Sequence, residues 1–168
     1  MIYDIEYYEN MLRMYSQSAE QICKIRWDFV DCITPWHVLD YGSGVGWFRA
    51  YRPEGVEVDT FDVGPYPQTG ITRDSYDLIT LWDVIEHLPT WNPQWEKTQY
   101  VALTVPILPE GQNIVEWKHW KPSEHLKIFT EDILDALFEK YGFEKVKSGY
   151  PECPPRVDIG SFLYRKVE

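Results

Sequence analysis

The stretch Val38-Leu39-Asp40-Tyr41-Gly42-Ser43-Gly44-Val45-Gly46 restricts the possible folds more than any other part of the chain. Its apolar start reads as a buried strand, and the glycines behind it read as a tight turn that opens a helix. Gly42, Gly44 and Gly46 admit positive φ and leave no Cβ to obstruct a ligand. The N–H groups that follow the turn then face that ligand. A loop of this kind belongs at the carboxyl edge of a parallel sheet, where it grips a nucleotide-like cofactor. A dinucleotide fingerprint, G-x-G-x-x-G, needs its third glycine at position 47, and Trp47 stands there. Phosphate binding is therefore the weaker reading of the loop.

A chain of 168 residues suffices for one core and hardly for two, so a single domain over 1–168 is expected. From Ile5 the apolar positions Tyr8, Leu12, Tyr15, Ala19, Ile22, Ile25, Phe29 and Ile33 keep a three-four spacing, which predicts one helix or a broken pair. Ser16-Gln17-Ser18 marks a break, because serines are weak helix formers, and Thr34-Pro35 ends the run. Residues 1–35 thus read as a helical cap on an α/β core over 36–168. Strands are expected at 36–41, 56–61, 76–82, 100–105, 143–148 and 159–164, helices near 45–51 and 130–141, and a loop over 64–75. Alternating strands and helices predict a mostly parallel sheet with helices on both faces. The last two strands, joined without a helix, predict an antiparallel final strand.

The formal charge of −11 disfavours a broad nucleic-acid interface, which draws its affinity from Lys and Arg on phosphates. No apolar run approaches the ~20 residues of a membrane span. The acidic start, Met1-Ile2-Tyr3-Asp4-Ile5-Glu6, differs from a secretory signal. Cys23, Cys32 and Cys153 are odd in number and lack metal-type spacing, so reduced thiols and a cytoplasmic location are expected. The 16% aromatic content fits either a core filled by large side chains or an aromatic substrate pocket.

The residues just after each strand carry the chemistry. Asp62 follows the second strand, 22 residues beyond Asp40, where a carboxylate can accept both ribose hydroxyls. Asp59 is its rival, three residues earlier. After the third strand comes Asp83-Val84-Ile85-Glu86-His87-Leu88-Pro89. A histidine there can take a proton from a hydroxyl or amine, and equally Glu86 and His87 can pin the loop. Asp83, Glu86 and His87 also form an oxygen-rich set for a divalent cation, but they stand too close in sequence to favour one, and no metal is expected.

Four segments together carry a family resemblance: Asp-x-Gly-x-Gly-x-Gly at 40–46, Asp-x-x-Pro at 62–65, the run Tyr76-Asp77-Leu78-Ile79-Thr80-Leu81-Trp82-Asp83-Val84-Ile85-Glu86-His87-Leu88, and W-x-H-x-x-P-x-E-H-L at 117–126. Over about residues 36–165 the chain resembles class I S-adenosylmethionine-dependent methyltransferases, in particular small-molecule enzymes related to ubiquinone-biosynthesis O-methyltransferases. The resemblance implies a Rossmann-like sheet with an antiparallel last strand, S-adenosyl-L-methionine as cofactor, and methyl transfer to oxygen or nitrogen of a small-molecule acceptor. It assigns Asp40, Gly42, Gly44, Gly46, Asp62, Val63 and Asp83 to the cofactor, and Glu86, His87, His119 and His125 to the acceptor side. His87, oriented by Glu86, is the expected proton acceptor.

One departure stands out. The 13 residues at 63–75 are too few for the helix, strand and adenine-contacting acid that the family places there, so the sheet is expected to be truncated relative to the seven-stranded form. Asp74 is the acidic residue left in that segment, and Tyr66 or Val63 would cover the adenine face instead. No G-x-S-x-G elbow, G-x-x-x-x-G-K loop or N-P-P-Y-type motif points to another chemistry. The alternative is a non-catalytic protein of the same fold that binds S-adenosylmethionine or S-adenosylhomocysteine.

Overall fold

The computed structural model describes residues 4–91, 93–154 and 156–167. Residues 1–3 of the acidic start and Pro155 of the Pro-rich connection lie outside the described residues. Helix α1 (Ile5–Tyr15) is capped by Asp4, whose carboxylate accepts the Tyr7 N–H at 3.0 Å. The chain breaks at Ser16-Gln17-Ser18, and α2 (Ala19–Val30) follows, burying Cys23, Trp27, Phe29 and Val30.

Six strands form one sheet: β1 (His37–Tyr41), β2 (Glu57–Phe61), β3 (Tyr76–Trp82), β4 (Thr98–Pro106), β5 (Phe143–Gly149) and β6 (Ile159–Lys166). Their spatial order is β2-β1-β3-β4-β6-β5. Strands β1 to β4 pair in parallel, and β6 runs antiparallel to both its neighbours. This is a Rossmann-like sheet with an antiparallel last strand. It stops at β2, because residues 63–75 contain neither strand nor helix and leave no chain for another crossover.

The pleat sends alternate residues to opposite faces, and each face meets different helices. Val38, Leu78, Ala102 and Leu163 pack with α2 and with Phe48 of the one-turn helix α3 (Trp47–Ala50). Leu39, Ile79, Leu103 and Phe162 pack with Leu134 and Phe138 of α4 (Glu131–Lys140). Helices therefore cover both faces. The α3 helix is shorter than its expected 45–51, since Gly46 is left-handed at φ 83° and the helix can begin only at Trp47.

Among the described residues, the crossover from β3 to β4 has two 3-10 turns, Ile85–His87 and Pro93–Lys97, where a full α-helix would be ordinary. Aromatic bulk fills the gap. Trp95 is fully buried, and Trp91 stacks on Tyr141 with ring centroids 4.1 Å apart. These aromatic rings pack where a crossover helix would otherwise lie. Among the described residues, no helix is long and apolar enough to cross a membrane.

Candidate active site

The strand ends at Tyr41, Phe61 and Trp82 bring the glycine loop, Asp62 and the Asp83 segment to one edge of the sheet. Gly42, Gly44 and Gly46 all adopt positive φ, at 81°, 56° and 83°. Their tasks differ. The Gly42 N–H donates to the Phe61 carbonyl at 2.7 Å, and a Cβ on Gly42 would lie 2.3 Å from Cγ2 of Val84. Gly42 therefore admits the chain leaving β3, which sets that segment against the loop. A Cβ on Gly46 would meet nothing within 4 Å, so that glycine borders open space.

Gly44 ties the loop to the expected ribose acceptor. Its N–H donates to Asp62 Oδ2 at 2.8 Å, while Asp62 Oδ1 accepts the Gly64 N–H at 2.7 Å and the Tyr8 hydroxyl at 2.6 Å. Asp62 thus faces the loop and already holds a hydroxyl group, which is the chemistry a ribose offers. The rival Asp59 is engaged by Tyr76 Oη at 2.7 Å and by Thr72, away from the loop. Helix α1 lies over this place, since Met11 and Tyr8 are the side chains nearest Gly44. Tyr8 also meets Tyr66 edge to face, and Val63 is exposed beside Asp62. The α3 helix is a single turn, so its dipole adds little at the loop.

Asp40 is buried below the loop, and Thr80 Oγ1 donates to its Oδ1 at 2.8 Å. Burial pushes its pKa up to about 7, against the smaller pull of Thr80 and Arg26. A carboxyl raised in the folded state favours folding when protonated. Its contribution is full below the ordinary value of 3.8 and is lost as pH rises towards about 7. Asp40→Asn keeps an acceptor for Thr80 and has no proton to lose. The variant is expected to gain thermal stability relative to wild type between pH 5 and pH 8, measured as the difference in Tm at each pH. Parallel curves would refute a buried, titrating Asp40.

Asp83, expected on the cofactor side, is partly exposed and joins an ion network, with its backbone at φ 60°. Arg156 Nη2 donates to its Oδ1 at 2.8 Å, Arg26 Nη2 to its Oδ2 at 2.9 Å, and Arg26 Nε to Glu152 Oε1 at 2.7 Å. Burial would raise the Asp83 carboxyl, but Arg156 and Arg26 outweigh it and hold it far below the usual range. The two guanidinium groups engage both carboxylate oxygens of Asp83. Arg26, Glu152 and Arg156 were not anticipated, and their separation in sequence leaves no local signal.

Beyond Asp83, the fold gathers Glu86, His87 and His125. Glu86 is 2% exposed, and its Oε2 has no hydrogen-bond partner among the described residues. Burial, and then the Asp83 charge, raise its pKa well above the ordinary value. Its Oε1 lies 3.8 Å from His87 Nε2, too far for a hydrogen bond. His87 is instead fixed through Nδ1, 2.9 Å from the Glu124 carbonyl. His125 Nδ1 is 2.9 Å from the His119 carbonyl, and the rings of His87 and His125 meet edge to face at 4.8 Å. The His119 ring points elsewhere, with Nε2 3.0 Å from the Val157 carbonyl, so its backbone rather than its imidazole serves the cluster. Burial lowers the pKa of both His119 and His125. Tyr7 approaches from α1, and burial followed by the charges of Glu124, Asp83 and Asp62 raises its phenol.

A family profile described as "Methyltransferase domain" matches residues 14–148. No curated protein sequence matches the chain. Among solved structures, it is similar to Burkholderia thailandensis 1,6-didemethyltoxoflavin-N1-methyltransferase, with bound 1,6-didemethyltoxoflavin and S-adenosylhomocysteine, at 15% identity and TM-score 0.69 over 98% of this chain and 85% of that one. It is similar to magnesium protoporphyrin IX methyltransferase from Synechocystis PCC 6803, with bound S-adenosylhomocysteine, at 14% identity and TM-score 0.68 over 99% and 97%. The 16S rRNA methylase ArmA is matched at 12% identity and TM-score 0.56 over 95% and 91%. These likenesses establish the fold.

Proposed function

The chain belongs to the methyltransferase-domain family, and from that premise we propose that it transfers a methyl group from S-adenosylmethionine to an oxygen or nitrogen nucleophile of a small molecule. The observation that carries the reading is Asp62, set against three left-handed glycines and holding a hydroxyl group. Asp62 would accept ribose hydroxyls once Tyr8 yields, Gly46 leaves room beside the loop, and Asp40 supports the loop from below. S-adenosylmethionine, when bound, supplies an activated methyl on a sulfonium, so transfer needs no covalent enzyme intermediate.

His87 takes the proton. A carbonyl only accepts, so the Glu124 contact assigns the hydrogen to His87 Nδ1 and leaves the lone pair of a neutral ring on Nε2. Residues 1–35 serve as a cap over a core of 36–168. A net charge of −11 favours a small acceptor over nucleic acid. The unpaired Cys23, Cys32 and Cys153 favour the cytoplasm.

Calorimetry with S-adenosylhomocysteine tests the cofactor site. Gly44→Val puts a β-branched side chain at φ 56° and against Met11, so it is expected to weaken binding by about tenfold or more, the equivalent of ~1.4 kcal/mol. Unchanged affinity would sink the assignment. A second reading, binding without turnover, is favoured by the short segment 63–75, which leaves the adenine side without a further strand or helix. It would require tight S-adenosylhomocysteine binding together with no methyl transfer across a broad acceptor panel.

A further inference from the structure

The 3-10 turn after β3 and the loop after β4 place three ligand-bearing side chains together. One donor atom from each of Glu86, His87 and His125 lies within 4.8 Å of the others. The main chain holds this arrangement in place. The Glu86 carbonyl accepts the N–H groups of Leu126 at 2.8 Å and Lys127 at 3.1 Å, which pins the His125 segment beside the turn.

The two rings share one orientation device. Each Nδ1 faces a backbone carbonyl at 2.9 Å, so each Nδ1 carries the proton and each neutral ring keeps its lone pair on Nε2. Metal-ligating histidines are oriented by the same kind of outer contact. Glu86 supplies the second, independent observation. Its Oε2 is buried and lacks a partner among the described residues, a costly state that a bound cation relieves.

We propose that Glu86, His87 and His125 bind one divalent first-row transition-metal ion of the zinc type. Two imidazoles and one carboxylate suit zinc or a similar ion better than magnesium or calcium, which prefer oxygen throughout. Zinc bonds of about 2.0–2.2 Å put neighbouring donors roughly 3.3 Å apart. The Glu86 Oε1 to His87 Nε2 separation of 3.8 Å therefore closes by a small side-chain rotation. Three protein ligands leave a position for an acceptor oxygen.

This deepens the proposed methyl transfer and rests on that reading only for the place of the acceptor. A hydroxyl bound at the open position loses its proton to water more easily. Its oxygen electron pair then forms the new bond to the methyl carbon, while the pair of the breaking S–CH3 bond stays with sulfur. The Nε2 lone pair of His87 acts as base in the metal-free protein and as ligand in the loaded one, so His87→Ala lowers turnover on either account.

The test uses the full chain, stripped with a chelator and dialysed. Calorimetric titration with Zn2+ is expected to show one equivalent bound, and Co2+ is expected to give a visible d–d band without the thiolate charge-transfer band that a cysteine site would add. Glu86→Gln and His125→Ala are expected to lower Zn2+ affinity at least about tenfold, with circular dichroism unchanged. Should either variant unfold, His125→Gln and the wild-type Co2+ spectrum decide instead. Less than one equivalent on wild type, a thiolate band, or variants that bind like wild type would each overturn the proposal. S-adenosylhomocysteine binding by the stripped protein separates the two claims, because its loss would remove the parent reading and its retention without Zn2+ binding would remove this one alone.

Discussion

His87→Ala is expected to lower the turnover of an identified acceptor by about 10²–10⁴-fold while S-adenosylhomocysteine affinity stays near the wild-type value. The size follows from what a positioned proton acceptor contributes, and the separation follows from place. His87 is one turn beyond Val84, which touches the glycine loop, and its Nδ1 faces the Glu124 carbonyl rather than Gly44 or Asp62. Removing the ring therefore leaves Gly44 and Asp62 as they are. The measurement is a single-turnover rate at saturating cofactor, paired with calorimetry. Added imidazole should restore part of the rate if the ring acts as a base. Wild-type turnover in the variant would make His87 structural. Loss of cofactor binding would mean that it pins the loop.

The largest stability effect is expected from Arg26→Leu, a loss of about 3 kcal/mol or more in unfolding free energy by chemical denaturation. Arg26 donates to Glu152 and to Asp83, and its guanidinium lies 5.1 Å from the Trp82 ring centroid. The Glu152 side chain is 1% exposed, so without Arg26 it keeps a buried charge with Arg156 as its remaining partner among the described ion pairs. Breaking one side of such a pair costs more than the pair is worth, because the desolvated charge stays behind. The double variant Arg26→Leu/Glu152→Leu should consequently recover much of the loss. Additive losses in the double variant would refute the argument. The pH dependence has the opposite sign to that of Asp40. Asp83 is held below its ordinary value, so its contribution is present above 3.8 and fades as pH falls below that.

Tyr8 shows how the cap and the site interact. Its hydroxyl occupies Asp62 Oδ1, and a Cβ on Gly64 would lie 2.3 Å from that hydroxyl. Gly64 is thus small because α1 presses against it. A ligand that uses Asp62 competes with a phenol that belongs to the protein, and its affinity is the difference between two hydrogen bonds to a charged group.

The sheet was legible because strands β1, β3 and β4 are short apolar runs between turn signals, and the truncation beside β2 was legible because 13 residues cannot hold a crossover. The break at Ser16-Gln17-Ser18 and the helix near 130–141 were legible for the same reason, since they depend on residues a few positions apart. The glycine loop and Asp62 also follow local rules, being tied to strand ends. What local rules do not reach is pairing between distant segments. Asp83 and Arg156 are 73 positions apart, and His125 meets His87 through a loop whose path the sequence leaves open. The one-letter code named Glu86, His87, His119 and His125 alike, whereas the fold kept three imidazole and carboxyl groups together and turned the His119 ring towards Val157. Periodicity and turn chemistry act over a few residues and fix the elements. Charge pairing and burial act across space, and only the folded chain decides which charges share a buried site.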